Sequence, residues 1–400
     1  MKVLDPAQHQ TQAFELPDAE ALIKEARRRQ RKCRLLVSIV VLMTMILSGI
    51  TYTVSRPSAR ARHTGTSSPS KTVSVAQSAS YVAPEAPTTL VVAPNGDLLV
   101  VDSGRDQILR YLASGKFQVL AGDGKRGFSG DGGPAVRARI SVHGNSGIAV
   151  ARDGTVYFSD SGNGRVREVL PDGFIRTIVG GGTRAIEQGA MPALSVSLNK
   201  PSTETLAGLA IGRNGELYIA ANAVYRLGPD GILHWVVGKS LPMANYCWDC
   251  NPGNQNDFLN SERLAFDGKG DLLVAGGPGW GLYEMTRSGN LRFVSVFRGD
   301  GFWGSLAEAA DGTVVLSVRN GVSRLLSSGA WEPIGPPTMA GFSPLDAALG
   351  KGDIFIGGTG LAVAENGDIY VDTNPGNTFT SVSAILELRP NGTVVELWKS

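Results

Sequence analysis

The chain has 400 residues, 42% of them hydrophobic and 18% charged, and its 51 Gly and 21 Pro point to many tight turns and an all-β fold. Its formal net charge of +2 is unevenly spread: residues 1–84 carry 12 Lys and Arg against 5 Asp and Glu, and the rest carries 26 against 31, a net of −5. A net-negative main domain lacks the phosphate-neutralising surface that nucleic acid needs, so nucleic acid is excluded as its partner.

Residues 1–34 read as a cytoplasmic tail, in which Asp18 is placed to cap a helix running through AEALIKEARRRQRK. Residues 35–54, LLVSIVVLMTMILSGITYTV, hold no charge and are long enough to span a hydrocarbon core of about 30 Å. A cleaved signal peptide fits less well, because no A-x-A site follows the apolar run. Lys24, Arg27, Arg28, Arg29, Arg31, Lys32 and Arg34 crowd its N-terminal flank, which keeps that end in the cytoplasm and makes the rest extracytoplasmic. Cys33 stands at that membrane edge, as a free thiol or an acylation site. Residues 55–87 are rich in Ser, Thr, Pro and Ala and carry too few large apolar side chains to offset ordering entropy, so a disordered stalk is expected.

From residue 88 to 400 one phrase recurs six times: LVVAPNGDLLVVD, IAVARDGTVYFSD, LAIGRNGELYIAA, LAFDGKGDLLVAG, LAEAADGTVVLSV and LAVAENGDIYVDT. Each is an apolar strand, a turn with Gly at 96, 154, 215, 270, 312 or 367, and a second apolar strand; two-residue hairpin loops are expected there. A second Gly turn follows each phrase, at Ser114-Gly115, Asp172-Gly173, Asp230-Gly231, Ser288-Gly289, Ser328-Gly329 and Asn391-Gly392. Each unit then has four antiparallel strands, and six such sheets pack best radially, as a six-bladed β-propeller.

With those residues in view, IAVARDGTVYFSDSGNGRVREVLPDGFIRTIVGGG resembles an NHL repeat, and GDGKRGFSGDGGPAVRARI (122–140) resembles the connector between NHL blades. The resemblance covers about 310 residues, is clearest in the first two blades and weakest in the fourth and fifth, and implies a six-bladed propeller of NHL type. It also implies that a divalent metal can sit in the central channel of enzymes of this kind, held by several His or by a Glu, Asn and Asp set. Here only His143 and His234 fall in the propeller, His9 and His63 lying before it, so no three-His site is expected, nor any metal or other cofactor. Glu308 stands where the other copies have Val, Ile or Phe, and is either a channel carboxylate or the partner of a nearby Arg. Asp102, Asp160 and Asp372 end the second strand of their blades, with Arg105 and Arg165 close behind two of them, which reads as a structural Asx turn or ion pair.

Cys247 and Cys250 form a C-W-D-C element in a long insertion, and in an exported domain a small loop disulfide is expected. The long loops share one face of the propeller and carry Tyr246, Trp248, Trp280, Phe302 and Trp303, with Phe128 and Phe379; Gly adjoins Phe128, Trp280, Phe302 and Trp303. Such aromatics either contact a ligand or fold back over blade edges. The leading expectation is therefore a non-catalytic, membrane-tethered propeller whose long-loop face binds an envelope component, carbohydrate or peptide, or a protein partner. The alternative is an extracytoplasmic metal-dependent lyase or lactonase using the central channel.

Overall fold

The computed structural model describes residues 80–400, except 145, 188, 199–207, 222, 238–260, 277–280, 287–290, 297–304, 310, 319–320, 327, 335–359 and 373–382. Two compact units divide the chain, Met1–Ala76 and Gln77–Ser400. The tail, the expected membrane helix at 35–54 and most of the stalk lie outside the described residues, among which no helix is long and apolar enough to cross a membrane.

Six antiparallel sheets follow one another along the chain, each built on four sequence-adjacent strands. Their innermost strands are Pro87–Val92, Ile148–Val150, Leu209–Ile211, Ser261–Phe266, Leu306–Glu308 and Leu361–Val363, and each packs against the next until the sixth meets the first. The six-bladed propeller expected from the repeat is therefore the fold. Blades one, two and three each gain a fifth strand on the outer edge, Tyr81–Val82, Gly133–Pro134 and Ala190–Pro192. Tyr81–Val82 falls in the stretch read as stalk, so the first sheet begins before residue 88.

A Leu or Ile followed by Ala in five of the six inner strands, and Leu90-Val91 in the first, explains how the blades pack. Successive residues of a strand point to opposite faces. The Leu therefore turns to the preceding blade and the Ala to the following one. Ala149 meets Leu209, Ala210 meets Leu264, Ala265 meets Leu306, Ala307 meets Leu361 and Ala362 meets Leu90, each pair sharing one apolar cluster. Small against large at five of the six seams, with Val91 and Ile148 together at the seam of blades one and two, lets wedge-shaped sheets close a ring at normal packing density.

The Gly turns differ from the expected two-residue loops. In the first, the Gly96 amide donates to the Ala93 carbonyl and the Ala93 amide donates to the Asp97 carbonyl, which defines a three-residue loop. The same pair of bonds recurs at Gly154, Gly173, Gly215 and Gly392. Such a loop is a type I turn closed by a residue in the left-handed region, and Gly96 has φ +85°. Asn95 Oδ1 accepts the Asp97 amide at 3.1 Å, and Asp153 and Asp172 do the same in their turns, so the Asn or Asp before the Gly is an Asx acceptor.

Candidate functional site

The six inner strands enclose a channel of about 350 Å³, lined mainly by backbone and by Ala, Val, Leu and Ile. That volume lies at the lower end of the range for small-molecule sites, roughly 300–1,000 Å³. At the end nearest the long loops, the residue preceding the Leu or Ile of each strand is Thr89, Gly147, Gly208, Arg263, Ser305 or Gly360. Three glycines thus leave the mouth open, while a hydroxyl, a guanidinium and a second hydroxyl come from blades one, four and five. Thr89, Arg263 and Ser305 are all buried and all line the channel. Thr89 Oγ1 has no hydrogen-bond partner, whereas the Ser305 amide donates to Ser317 Oγ at 2.7 Å.

Behind this ring sit the aspartates that end the second strands, and they act largely as the recurrence suggested. Asp102 accepts the amides of Glu85 and Ala86 at 3.0 and 2.8 Å, and that of Gly104 at 3.2 Å. Asp160 accepts the Ser141 amide and Asn163 Nδ2, each at 2.7 Å. Asp372 accepts the Gly360 amide at 2.9 Å through Oδ1, and its Oδ2 has no hydrogen-bond partner. All three hold the chain that enters the inner strand. Asp160 is likewise buried with one oxygen lacking a hydrogen-bond partner, but that oxygen faces Arg167 at 3.6 Å. Asp372 is fully buried. Burial drives its pKa well above the usual carboxylate range, with the Gly360 amide and the Arg263 charge acting against that rise.

The expected ion pairs are only partly right. Arg105 Nε lies 4.0 Å from Asp102, but Arg165 donates to the Asn163 carbonyl and lays its guanidinium 3.9 Å over the ring of Phe128. The partner of Asp160 is Arg167, at 3.6 Å, two residues further on and on the same face of its strand.

Burial also lifts the pKa of Asp160 from 3.8 to about 6, over the opposing effects of the Ser141 amide and Arg167. A carboxyl whose pKa is raised on folding favours the folded state fully below the unfolded value. That contribution disappears as pH climbs to the folded value. Across pH 3.8 to about 6 the loss should approach roughly 3 kcal/mol. Thermal unfolding of Asp160→Asn at pH 4 and pH 6.5 checks this, and the variant should show a clearly smaller drop across the window than the parent. An equal drop in both would remove Asp160 as its source.

Glu308 lies at the opposite end of the channel, three residues or about 10 Å along the strand from Ser305. Arg213 Nη2 stands 3.8 Å from its carboxylate and also donates to the Gly268 carbonyl, joining blades three, four and five at the turn face. Burial raises the Glu308 pKa, Arg213 opposes the rise, and Asp267 adds to it. This geometry matches the reading of Glu308 as the partner of a nearby Arg.

Tyr246, Trp248, Trp280, Phe302, Trp303, Cys247, Cys250 and Phe379 lie outside the described residues. Phe128 is described, 43% exposed and covered by Arg165. His143 lies near Gly162 at the long-loop end of blade two, and His234 is in the outer strand Ile232–Val237 of blade three, near the turn at Gly228. They do not converge. Among the described residues no three His, Cys, Asp or Glu side chains form a metal-binding group. Among the described residues, the side-chain donors that line the channel, one carboxylate at the turn end and a guanidinium with two hydroxyls at the other, do not suit a divalent cation.

Solved structures share this architecture. Virginiamycin B lyase from Staphylococcus aureus is similar at 14% identity with a TM-score of 0.46, over 80% of this chain and 87% of that one. A gluconolactonase from Xanthomonas campestris is similar at 12% identity with a TM-score of 0.44, over 80% of this chain and 86% of that one. A putative gluconolactonase is similar at 14% identity with a TM-score of 0.45, over 74% and 89%. No protein-family model and no curated protein matches the chain. The likeness is one of fold. The similar proteins are a lyase and lactonases, and none of them supports the expectation of a non-catalytic binding propeller.

Aligning the repeat one residue further upstream would have found Arg263, since the position that is Gly in three blades is Arg in the fourth. The distinct state of Asp372 had no such signal, because its letter is the same in blades one and two.

Proposed function

We propose that this chain is a membrane-tethered, extracytoplasmic enzyme of the lyase or lactonase kind, built of NHL-type repeats, that opens a small lactone at the long-loop end of its channel. The observation that carries the reading is the ring of Thr89, Arg263 and Ser305 in a passage otherwise walled by Gly and small apolar residues, with the buried Asp372 carboxyl behind it. A largely apolar cavity with a few convergent polar groups is the usual form of a small-molecule site. Arg263 gives a fixed positive charge for the oxygen that becomes anionic when water adds to the ester carbonyl. Thr89 Oγ1, having no protein partner, is available to hold the ring oxygen or the incoming water. Asp372, held above the ordinary carboxylate range, retains the proton that the departing alkoxide takes up, and the carboxylate left behind regains a proton from the water that has added to the carbonyl. The products are the ring-opened hydroxy acid and no other fragment. No step requires a metal.

The test is ring-opening by the full-length chain of a panel of five- and six-membered lactones, followed by acid release at constant pH. Turnover of at least one member above the buffer rate is expected. Release at the buffer rate for every member would remove this reading.

A further inference from the structure

The channel is charged at both ends and apolar between them. Arg263 and Glu308 line it on the neighbouring blades four and five, Arg263 at the level of the mouth and Glu308 about 10 Å further along the strand direction. Over the two levels that separate them, every inner strand contributes one Leu or Ile and one Val or Ala. At the level of Glu308 the other five strands end in Val92, Val150, Ile211, Phe266 and Val363. Among the described residues Glu308 is therefore the one carboxylate that lines the passage. Asp267 follows Phe266, but its Oδ1 accepts the amides of Lys269 and Asp271 at 2.9 and 2.8 Å, within its own turn.

Arg213 does not saturate the Glu308 carboxylate. Its Nη2 stands 3.8 Å away, beyond hydrogen-bond range, and donates to the Gly268 carbonyl instead. The Arg213 side chain is 53% exposed, and an ion pair so open to water holds its partners weakly. A carboxylate at the end of an apolar passage has given up part of its hydration, so it gains more from a cation arriving along that passage than it would in open water. Phe266 lines the passage at the same level, its ring packed edge-on against Tyr218 with centroids 5.1 Å apart, and an aromatic ring also attracts a cation.

We infer that Glu308 is a specificity-determining residue that takes a cationic group of the substrate, so that the substrate class is a lactone bearing an alkylammonium side chain. The ester lies at Arg263, the ammonium at Glu308, and the aliphatic tether along the Leu, Ile, Val and Ala walls. Covering about 10 Å takes a tether of about six to eight single bonds of about 1.5 Å each. Ring opening rests here on the function proposed above, whereas the ammonium seat stands without it.

The full-length chain is offered a γ-lactone carrying a 6-aminohexyl chain and the same lactone carrying a hexyl chain, and acid release gives the ratio of their kcat/KM. The amine should be preferred by about tenfold or more, the usual worth of a hydrogen bond to a charged group. Glu308→Gln should bring the ratio to about one, and Arg213→Gln, which removes the competing cation, should raise it. Both variants should melt close to the parent, because the pair they break is open to water. A carboxylate that served only to hold Arg213 would make the two variants behave alike. A ratio near one in the parent would overturn the inference, as would an equal fall in both variants. Calorimetric titration with hexylammonium, and with hexanol as its control, separates the seat from the reaction. Binding of the ammonium that Glu308→Gln abolishes, with neither lactone turned over, would remove ring opening and keep the seat. Hexylammonium binding no better than hexanol would remove the seat whatever the turnover.

Discussion

Replacing Arg167 with Met should destabilise the propeller by about 3–5 kcal/mol, the usual cost of removing one partner of a buried ionic cluster. Arg167 is fully buried, and its guanidinium ties three parts of the molecule together. Nη2 lies 2.6 Å from Asp131 and 2.9 Å from the Ser129 carbonyl, and Nη1 donates to the Arg139 carbonyl at 3.0 Å while facing Asp160. The connector 122–140 is thus pinned to blade two by one side chain. Met matches Arg in length but offers no donor, so two connector carbonyls and the buried Asp160 would all lose their partner. Arg165→Met is the control. Arg165 lies at the end of the strand, only partly buried, and gives up a bond to the Asn163 carbonyl and one stacking contact with the exposed Phe128, the latter worth about 0.5–1 kcal/mol. Thermal melts of the two variants should separate by roughly 5 °C or more. Melts that coincide would mean that Arg167 is not the pin.

The fold was legible because its two determinants are local. A Gly turn, preceded by Asn or Asp in five of the six phrases, recurs every 42–61 residues, and Leu or Ile followed by Ala in five of the six inner strands states the packing of their seams before any contact is seen. Turn type was misread, since two-residue and three-residue loops share the same Asn-Gly or Asp-Gly letters and differ only in which amide bonds which carbonyl. The site was much less legible. Arg263, Thr89 and Ser305 come from blades whose phrases lie up to 216 residues apart, and only ring closure brings them to one level. Asp372 shares its letter and repeat position with Asp102, yet among the described residues Asp102 takes three backbone amides and Asp372 takes that of Gly360 from outside its own residue. The difference lies in the surrounding loops. Arg165 and Arg167 share one face of their strand, so alternation does not choose between them; Arg165 stands at the strand end, where it reaches the Asn163 carbonyl and the ring of Phe128, and Arg167, one step further in, faces Asp160.

Arg263 should carry the largest functional effect. A fixed charge aimed at a developing oxyanion is typically worth about 10²–10³ in rate, so Arg263→Met should lower kcat/KM for the best lactone by about that factor. Thr89→Val, which keeps shape and removes a hydroxyl that has no protein partner, should cost a smaller factor, about tenfold, with little change in Tm. The measurement that bears most directly on the account is lactone turnover by the full-length chain after exhaustive treatment with a metal chelator, with Arg263→Met run alongside. The account predicts that the parent keeps its rate under chelation and that the variant, still folded by its melt, loses about two to three orders of magnitude. Turnover abolished by the chelator, or undiminished in Arg263→Met, would contradict it.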